Sequence, residues 1–256
     1  MEVHIRLQEN EEEKAFVLSA PFDLSIAVSS EEDALTAWYL GPPEIEPHKE
    51  GDFVGAVRAG ASTNFNTIRF NPHAHATHTE CLGHITEEFH SVNALFPLPL
   101  LPAVLVSVAP QKRGEDACIT VEQLQEAVKA LGAEPFAAKA LLLRTLPNEA
   151  SKKSRQYSHS NPPYLTAAAA VWIRESGFEH LLIDLPSVDR EVDGGALVAH
   201  KAFWGLPESP RTRATITEFL YVSEEIEDGY GFLDLQVGPF ENDASPSRPV
   251  WFKIVN

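Results

Sequence analysis

The stretch HAHATHTECLGH, residues 73–84, carries four of the chain's ten histidines together with Glu80 and Cys81. Neutral imidazole and carboxylate are the usual ligands of zinc, manganese and iron, and catalytic sites of that kind keep an open position for water or substrate. In an extended segment, residues two apart share a face. His78 and Glu80 therefore point the same way and can hold one ion between them. His73 or His75 can add a third ligand if the chain turns near Pro72, and His84, past Gly83, can be looped over the same site. Ala74, Ala76 and Gly83 leave room for a metal and a substrate to approach. The competing reading is a solvated strip of histidines, or core histidines bonded to carbonyls. An unpaired imidazole nitrogen is costly to bury, which favours a site. Cys81 reads as a buried structural thiol rather than a ligand.

The elements that must position these residues are legible around them. Val3, Ile5 and Leu7 alternate with polar residues, as do Phe16 and Leu18 after the acidic ENEEE, which predicts an N-terminal hairpin with a charged turn. Residues 103–109 (AVLVSVA), 139–145 (KALLLRT) and 180–185 (HLLIDL) are short apolar runs of the kind buried on both faces of a sheet. Two helices fall between them. One opens on Thr120 with Gln123 three residues on, presents Leu124, Ala127, Val128 and Leu131, and stops at Gly132. The other runs from near Thr166 to Gly177. The order of helices and buried strands predicts an α/β layered domain. RATITEFLYVSEE and RPVWFKIV make the C-terminal quarter β-rich. The polar segment 148–164, ending in Pro-Pro, reads as a long loop, either a lid or a surface excursion.

The length of 256 residues suits one large domain or two small ones, and without a repeat or a low-complexity divider the chain reads as a single domain over 1–256. Its 20 Lys+Arg stand against 37 Asp+Glu, a formal charge of −17. Such a field repels phosphate backbones and anionic lipid, so nucleic-acid and membrane-surface partners are not expected. The greasiest stretch, residues 95–109, is short and broken by three prolines, too little to span a bilayer. The acidic, alternating start is unlike a signal peptide, and two cysteines in so long a chain are no disulfide framework. A soluble, cytoplasmic protein is expected. There is no GxSxG elbow, Walker A loop or HExxH motif, and GYG at 229–231 lacks the rest of a dinucleotide fingerprint.

THTECLGHI (77–85) resembles the signature of the cyclase-type metal-dependent hydrolases, the family of bacterial kynurenine formamidase and isatin hydrolase, whose pattern runs His-x-Gly-Thr-His-x-Asp-x-Pro-x-His. Thr77, His78 and His84 match in register, while Glu80 replaces the aspartate, Ala76 the glycine and Leu82 the proline. The first histidine falls on Ala74, with His73 and His75 on either side; His73, following the Pro72 turn, is preferred. LLIDLPSVD (181–189) and LLLRT (141–145) are similar to the family's later strands. His200 in LVAHKAFWGLP and Glu218 in TITEFLY occupy the places of its remaining ligands.

The resemblance implies a swivelling β/β/α fold, with a mixed sheet, flanking helices and a β-rich C-terminal part, in a homo-oligomer. It implies one or two divalent ions, zinc or manganese, the first held by His73, His78 and Glu80 and the second, or the completed shell, by Glu80, His200 and Glu218. His84 is then the catalytic proton shuttle. The expected reaction is hydrolysis of an amide, formamide or lactam of a small molecule, aromatic ones included, as in an arylformamidase of tryptophan catabolism. The alternatives are a metal-dependent cyclase or lyase, and a metal or small-ligand binding protein that has lost catalysis. Glu218 shares a face with Ile216 and Leu220, where a carboxylate needs a partner, either a metal or an arginine such as Arg213. Asp184 and Asp189 read as turn and hydrogen-bonding residues, Phe203 and Trp204 as either pocket lining or core. His4, His48, His159 and His180 read as surface or structural.

Overall fold

The computed structural model describes residues 3–9 and 12–255. Its main sheet has eight strands: β1 (Phe22–Asp23), β2 (His78–Glu80), β3 (Leu101–Val108), β4 (Ala140–Thr145), β5 (His180–Ile183), β6 (Thr215–Glu218), β7 (Gly229–Val237) and β8 (Ala244–Lys253). They lie in the order β7-β3-β4-β5-β6-β2-β8-β1. β7 also pairs with β8, so seven of the strands close into a barrel. Neighbours from β3 to β6 are parallel, and the remaining pairs are antiparallel. Parallel neighbours need a crossover between them, and the helices supply it. These are α2 (Val121–Ala130), α3 (Ala167–Glu175) and α4 (Val198–Trp204), and the four-residue α1 (Pro72–His75) precedes β2.

The predicted helix boundaries are found. Thr120 and Gln123 cap α2 reciprocally, and Thr166 accepts from the Ala169 amide at the start of α3. The apolar runs are β3, β4 and β5, buried on both faces because alternate residues serve two different cores. Val104, Val106, Leu141, Leu143, Leu181, Ile183 and Ile216 face the helices. Ala103, Leu105, Ala140, Leu142 and Leu182 meet Leu220, Leu233 and Trp251 in the barrel interior. The N-terminal hairpin pairs Val3–Glu9 with Glu12–Leu18 and lays Phe16 onto the helix-side core. The tip of its charged turn, residues 10 and 11, lies outside the described residues.

Packing chooses among readings that the sequence left open and shortens one expected strand. Segment 148–164 is a fastened strap: Lys152 is buried with its ammonium 2.7 Å from Asp184 Oδ2, and Tyr157 is buried with its amide on Thr36 O. The alternating RATITEFLYVSEE forms a strand only over Thr215–Glu218, because Phe219 takes the left-handed conformation (φ 58°) and turns the chain out of the ladder. Phe203 and Trp204 are fully buried, and the Trp204 indole donates to Ala214 O, so both belong to the core. Cys81 and Cys118 are free and buried. Among the described residues no helix is long and apolar enough to cross a membrane.

His180 is a core histidine with a measurable signature. It opens β5, is buried, and its Nδ1 lies 2.9 Å from Thr215 Oγ1 on the paired strand. Burial pushes its pKa down to about 4, so it folds neutral and regains its ordinary value near 6.5 on unfolding. The unfolded chain therefore binds the extra proton between these values, and stability present above pH 6.5 is lost as the pH falls towards 4, by about 3 kcal/mol in full. His180→Gln, compared with wild type by urea unfolding at pH 7.5 and 4.5, is expected to lose less on acidification by about 2–3 kcal/mol. Equal acid sensitivity in both proteins would count against this assignment.

Candidate metal centre

Glu80 is the centre of the site. It closes β2, is wholly buried, and shares the strand face of His78, as their spacing of two requires. β6 pairs with β2 so that Glu218 stands opposite His78 and Ile216 opposite Glu80. All of these lie on the helix side of the sheet, beneath α4 and its His200. Thr79 and Thr217 occupy the opposite face and join through their hydroxyls at 2.8 Å. Thr77 pins the entry to β2: its hydroxyl donates to Phe219 O and accepts from the Ile26 amide. That bond holds the chain in its turn directly after Glu218.

His73 and His75 part at a single turn of helix. Asn71 caps α1 by accepting from the His73 amide, and Pro72 occupies its first position. His73 Nδ1 is thereby brought 3.1 Å from Glu80 Oε2. His75 points elsewhere, its Nε2 on Gly41 O and its Nδ1 accepting from the Asn71 amide. His84 sits in the short turn Leu82–His84, with its ring stacked on His73 at 4.3 Å and Nε2 3.6 Å from Glu80 Oε2. His200 Nε2 meets the other oxygen, Glu80 Oε1, at 3.0 Å. Glu218 lies 3.4 Å from His78 Nε2 and 3.9 Å from His200 Nε2 and accepts from the Val188 amide. These contacts, rather than Arg213, answer its need for a partner. All six residues singled out in the sequence, His73, His78, Glu80, His84, His200 and Glu218, are thus in one cluster.

Each imidazole is anchored on its outer nitrogen and presents the inner one. His78 Nδ1 meets Ala76 O at 3.1 Å, and His200 Nδ1 meets Asp189 Oδ2 at 2.6 Å. One oxygen of Asp243 serves both His73 Nε2 and His84 Nδ1. Anchoring of this kind fixes tautomer and ring orientation at metal sites. His78 Nε2 and Glu80 Oε2 are buried without a hydrogen bond, the latter despite its closeness to His73, so unused lone pairs are left facing inward. Such orphaned atoms are expensive unless something else satisfies them. A nitrogen and carboxylate set without thiolate fits a divalent ion such as zinc or manganese.

Protonation follows the same geometry. Burial opposes charge on His73, but Asp243 and Glu80 outweigh it and raise its pKa to about 10. In His200 burial is likewise overcome, by Asp189 and Glu80, again to about 10. Burial would raise the Glu80 carboxyl, yet His84, His200 and His73 hold it well below the usual carboxylate range. Protons thus neutralise the carboxylates when no cation does, and a bound cation displaces them.

Sequence reasoning missed Asp243 and understated Asp189. Nothing in FENDASP marks Asp243, which reaches the site only because Ala244 pairs with Glu80 across β8 and β2. Asp189 does hydrogen-bonding work, but of a specific sort: it also accepts from the Ala199 and His200 amides and so caps α4. Replacing Asp189 by alanine is expected to cost about 1–2 kcal/mol as a lost cap and to weaken metal binding about 10–100-fold through His200. Urea unfolding of metal-free protein and a zinc titration test the two effects separately; unchanged zinc affinity would remove Asp189 from the site.

The Cyclase family model matches residues 22–190, about two-thirds of the chain. None of the curated proteins matches. Among solved structures, the fold is similar to that of an isatin hydrolase bound to the product analogue thioisatinate, at 14% identity over 92% of this chain and 93% of that one, with a TM-score of 0.67. Isatin hydrolase A from Ralstonia solanacearum gives 19% identity, 91% of each chain and 0.64. A structure described as a potential metal-dependent hydrolase with cyclase activity gives 15%, 92% and 98%, and 0.62. At these identities the likeness is one of fold, a mixed α/β architecture around a closed seven-stranded sheet. The family match supplies the rest: this chain is a member of the Cyclase family.

Proposed function

We propose that the chain is a metal-dependent hydrolase that cleaves the C–N bond of a small, non-peptide amide, formamide or lactam. The observation that carries the reading is the convergence on two buried carboxylates, Glu80 and Glu218, of four imidazoles whose outer nitrogens are anchored. His73, His78 and Glu80 would hold a zinc or manganese ion, and Glu80, His200 and Glu218 would complete its shell or hold a second. The two oxygens of Glu80 face different imidazoles, as in a bridging carboxylate. A divalent ion, when bound, lowers the pKa of coordinated water towards 7 and polarises a carbonyl oxygen.

The chain's own residues account for orientation and proton movement. Water adds to the carbonyl carbon, the C–N bond breaks, and the proton released by water travels on His84 Nε2 to the departing nitrogen. His84 suits that task because its side chain is 29% exposed while Glu80 is 0% exposed, so it stands on the side from which substrate and solvent arrive. Histidine is the side chain most often used as a general acid–base group. An aromatic substrate is favoured by Phe240, half exposed, whose ring meets Phe70 edge to face at 6.4 Å. These two stand three residues ahead of Asp243 and His73 respectively. The neighbours named isatin hydrolase point to a cyclic amide.

The test is metal content per chain, followed by turnover of isatin, formanilide and an aliphatic lactam in water labelled with ¹⁸O. One or two bound ions and labelled oxygen in the acid product are expected. Turnover without label would mean a lyase or cyclase instead, and a fully loaded protein inert on every substrate would mean a binding protein.

A further inference from the structure

Asp243 lies 170 and 159 residues along the chain from the two histidines it touches. Its Oδ2 is 2.9 Å from His73 Nε2 and 3.2 Å from His84 Nδ1. The opposite nitrogens of the same rings face one atom, Glu80 Oε2, at 3.1 Å for His73 Nδ1 and 3.6 Å for His84 Nε2. The rings are stacked, 28° from parallel. The placement of Asp243 belongs to the sheet: its carbonyl accepts from the Cys81 amide at 3.0 Å, and the next residue pairs with Glu80.

Building on the hydrolase reading, we infer that Asp243 is a positioning residue that gives two stacked histidines different tasks. By accepting from His73 Nε2–H it makes Nδ1 the nitrogen that faces the ion. By accepting from His84 Nδ1–H it turns the Nε2 of that ring towards the reacting side. A carboxylate behind an imidazole fixes tautomer and orientation and strengthens the ligand. His78 and His200 obtain the same service from Ala76 O and Asp189, so Asp243 completes the set for the two rings nearest solvent. The geometry also poses a rival role. The facing atoms of His73, His84 and Asp243 lie within 4.8 Å of one another, so Asp243 could itself be a ligand.

Zinc alone separates these roles. Wild type, Asp243→Ala and Asp243→Asn are titrated with zinc against a chromophoric chelator, and the zinc-loaded proteins are compared by long-range ¹H–¹⁵N imidazole spectra. In wild type, His73 is expected to bind through Nδ1 and carry its proton on Nε2. Asp243→Ala is expected to bind the same number of ions about 10–100-fold more weakly, with the single His73 tautomer lost. Asp243→Asn keeps an acceptor oxygen without the charge, is expected to fall between the two, and guards against a folding failure of the alanine variant. Binding of His73 through Nε2, unchanged affinity in both variants, or loss of a whole equivalent of zinc in Asp243→Asn would overturn the assignment. A wild type that takes up no zinc overturns the hydrolase reading itself, whereas normal uptake indifferent to residue 243 overturns only the role of Asp243.

Discussion

Glu80→Gln is expected to give a folded protein that holds no divalent ion and has lost activity by about 10³-fold or more. Glutamine matches glutamate in shape, so the packing around β2 survives. Its amide carries no charge, however, and presents an NH₂ donor where the carboxylate offers a second acceptor. Glu80 Oε1 lies 3.0 Å from His200 Nε2 and Oε2 3.1 Å from His73 Nδ1, so whichever way the amide faces, one of these contacts changes character. The activity figure follows from the several kcal/mol of charge stabilisation that a bound ion contributes, at about 1.4 kcal/mol per tenfold in rate. Plasma mass spectrometry of dialysed protein and turnover of a lactam read the two effects. A glutamine variant with a full complement of ion and normal turnover would remove Glu80 from the centre of the site.

His84→Ala is expected to do something different: metal content stays at the wild-type level while turnover falls about 10²–10⁴-fold, the range supplied by a positioned acid–base group. Its inner nitrogen is 3.6 Å from Glu80, further than the inner nitrogens of His73 and His200. Its ring reaches the surface, where a proton can be exchanged with solvent. The same atoms allow a ligand role, since His84 can join Glu80 and His200 around an ion. The variant decides between them. Loss of the ion along with activity would make His84 a ligand, and partial recovery of turnover by added imidazole would support the shuttle.

These two expectations rest on residues that were readable in the chain before any fold was known. His78 and Glu80 share a face because a strand repeats every two residues, a local rule that holds wherever the strand is placed. The caps of α2 and α3 and the apolar runs of β3 to β5 were legible for the same reason. The side chains that mark them act within a few residues of themselves. His84 was legible from its place past Gly83, and His200 and Glu218 were reached by resemblance to a motif; the structure brings His84 and His200 to Glu80 and Glu218 to His78 and His200.

What tertiary structure alone decided is the choice among locally equivalent options. His73 and His75 are two apart and chemically identical. Only the Asn71 cap and the direction of α1 turn one to Glu80 and the other to Gly41 O. Asp243 resembles any aspartate in a turn until the ladder of β8 on β2 sets it beside His73 and His84. Phe203 and Trp204 read equally as pocket wall or core, and the packing of α4 against α3 in the helix-side core buried them. His180 opens a run expected to be buried, yet by itself it reads equally as surface or structural, because its partner, Thr215, lies 35 residues on. Local pattern determines which face a residue occupies. Which distant residue meets it is decided by strand register and the packing of whole elements, and those are minimised over the entire chain rather than in any window of it.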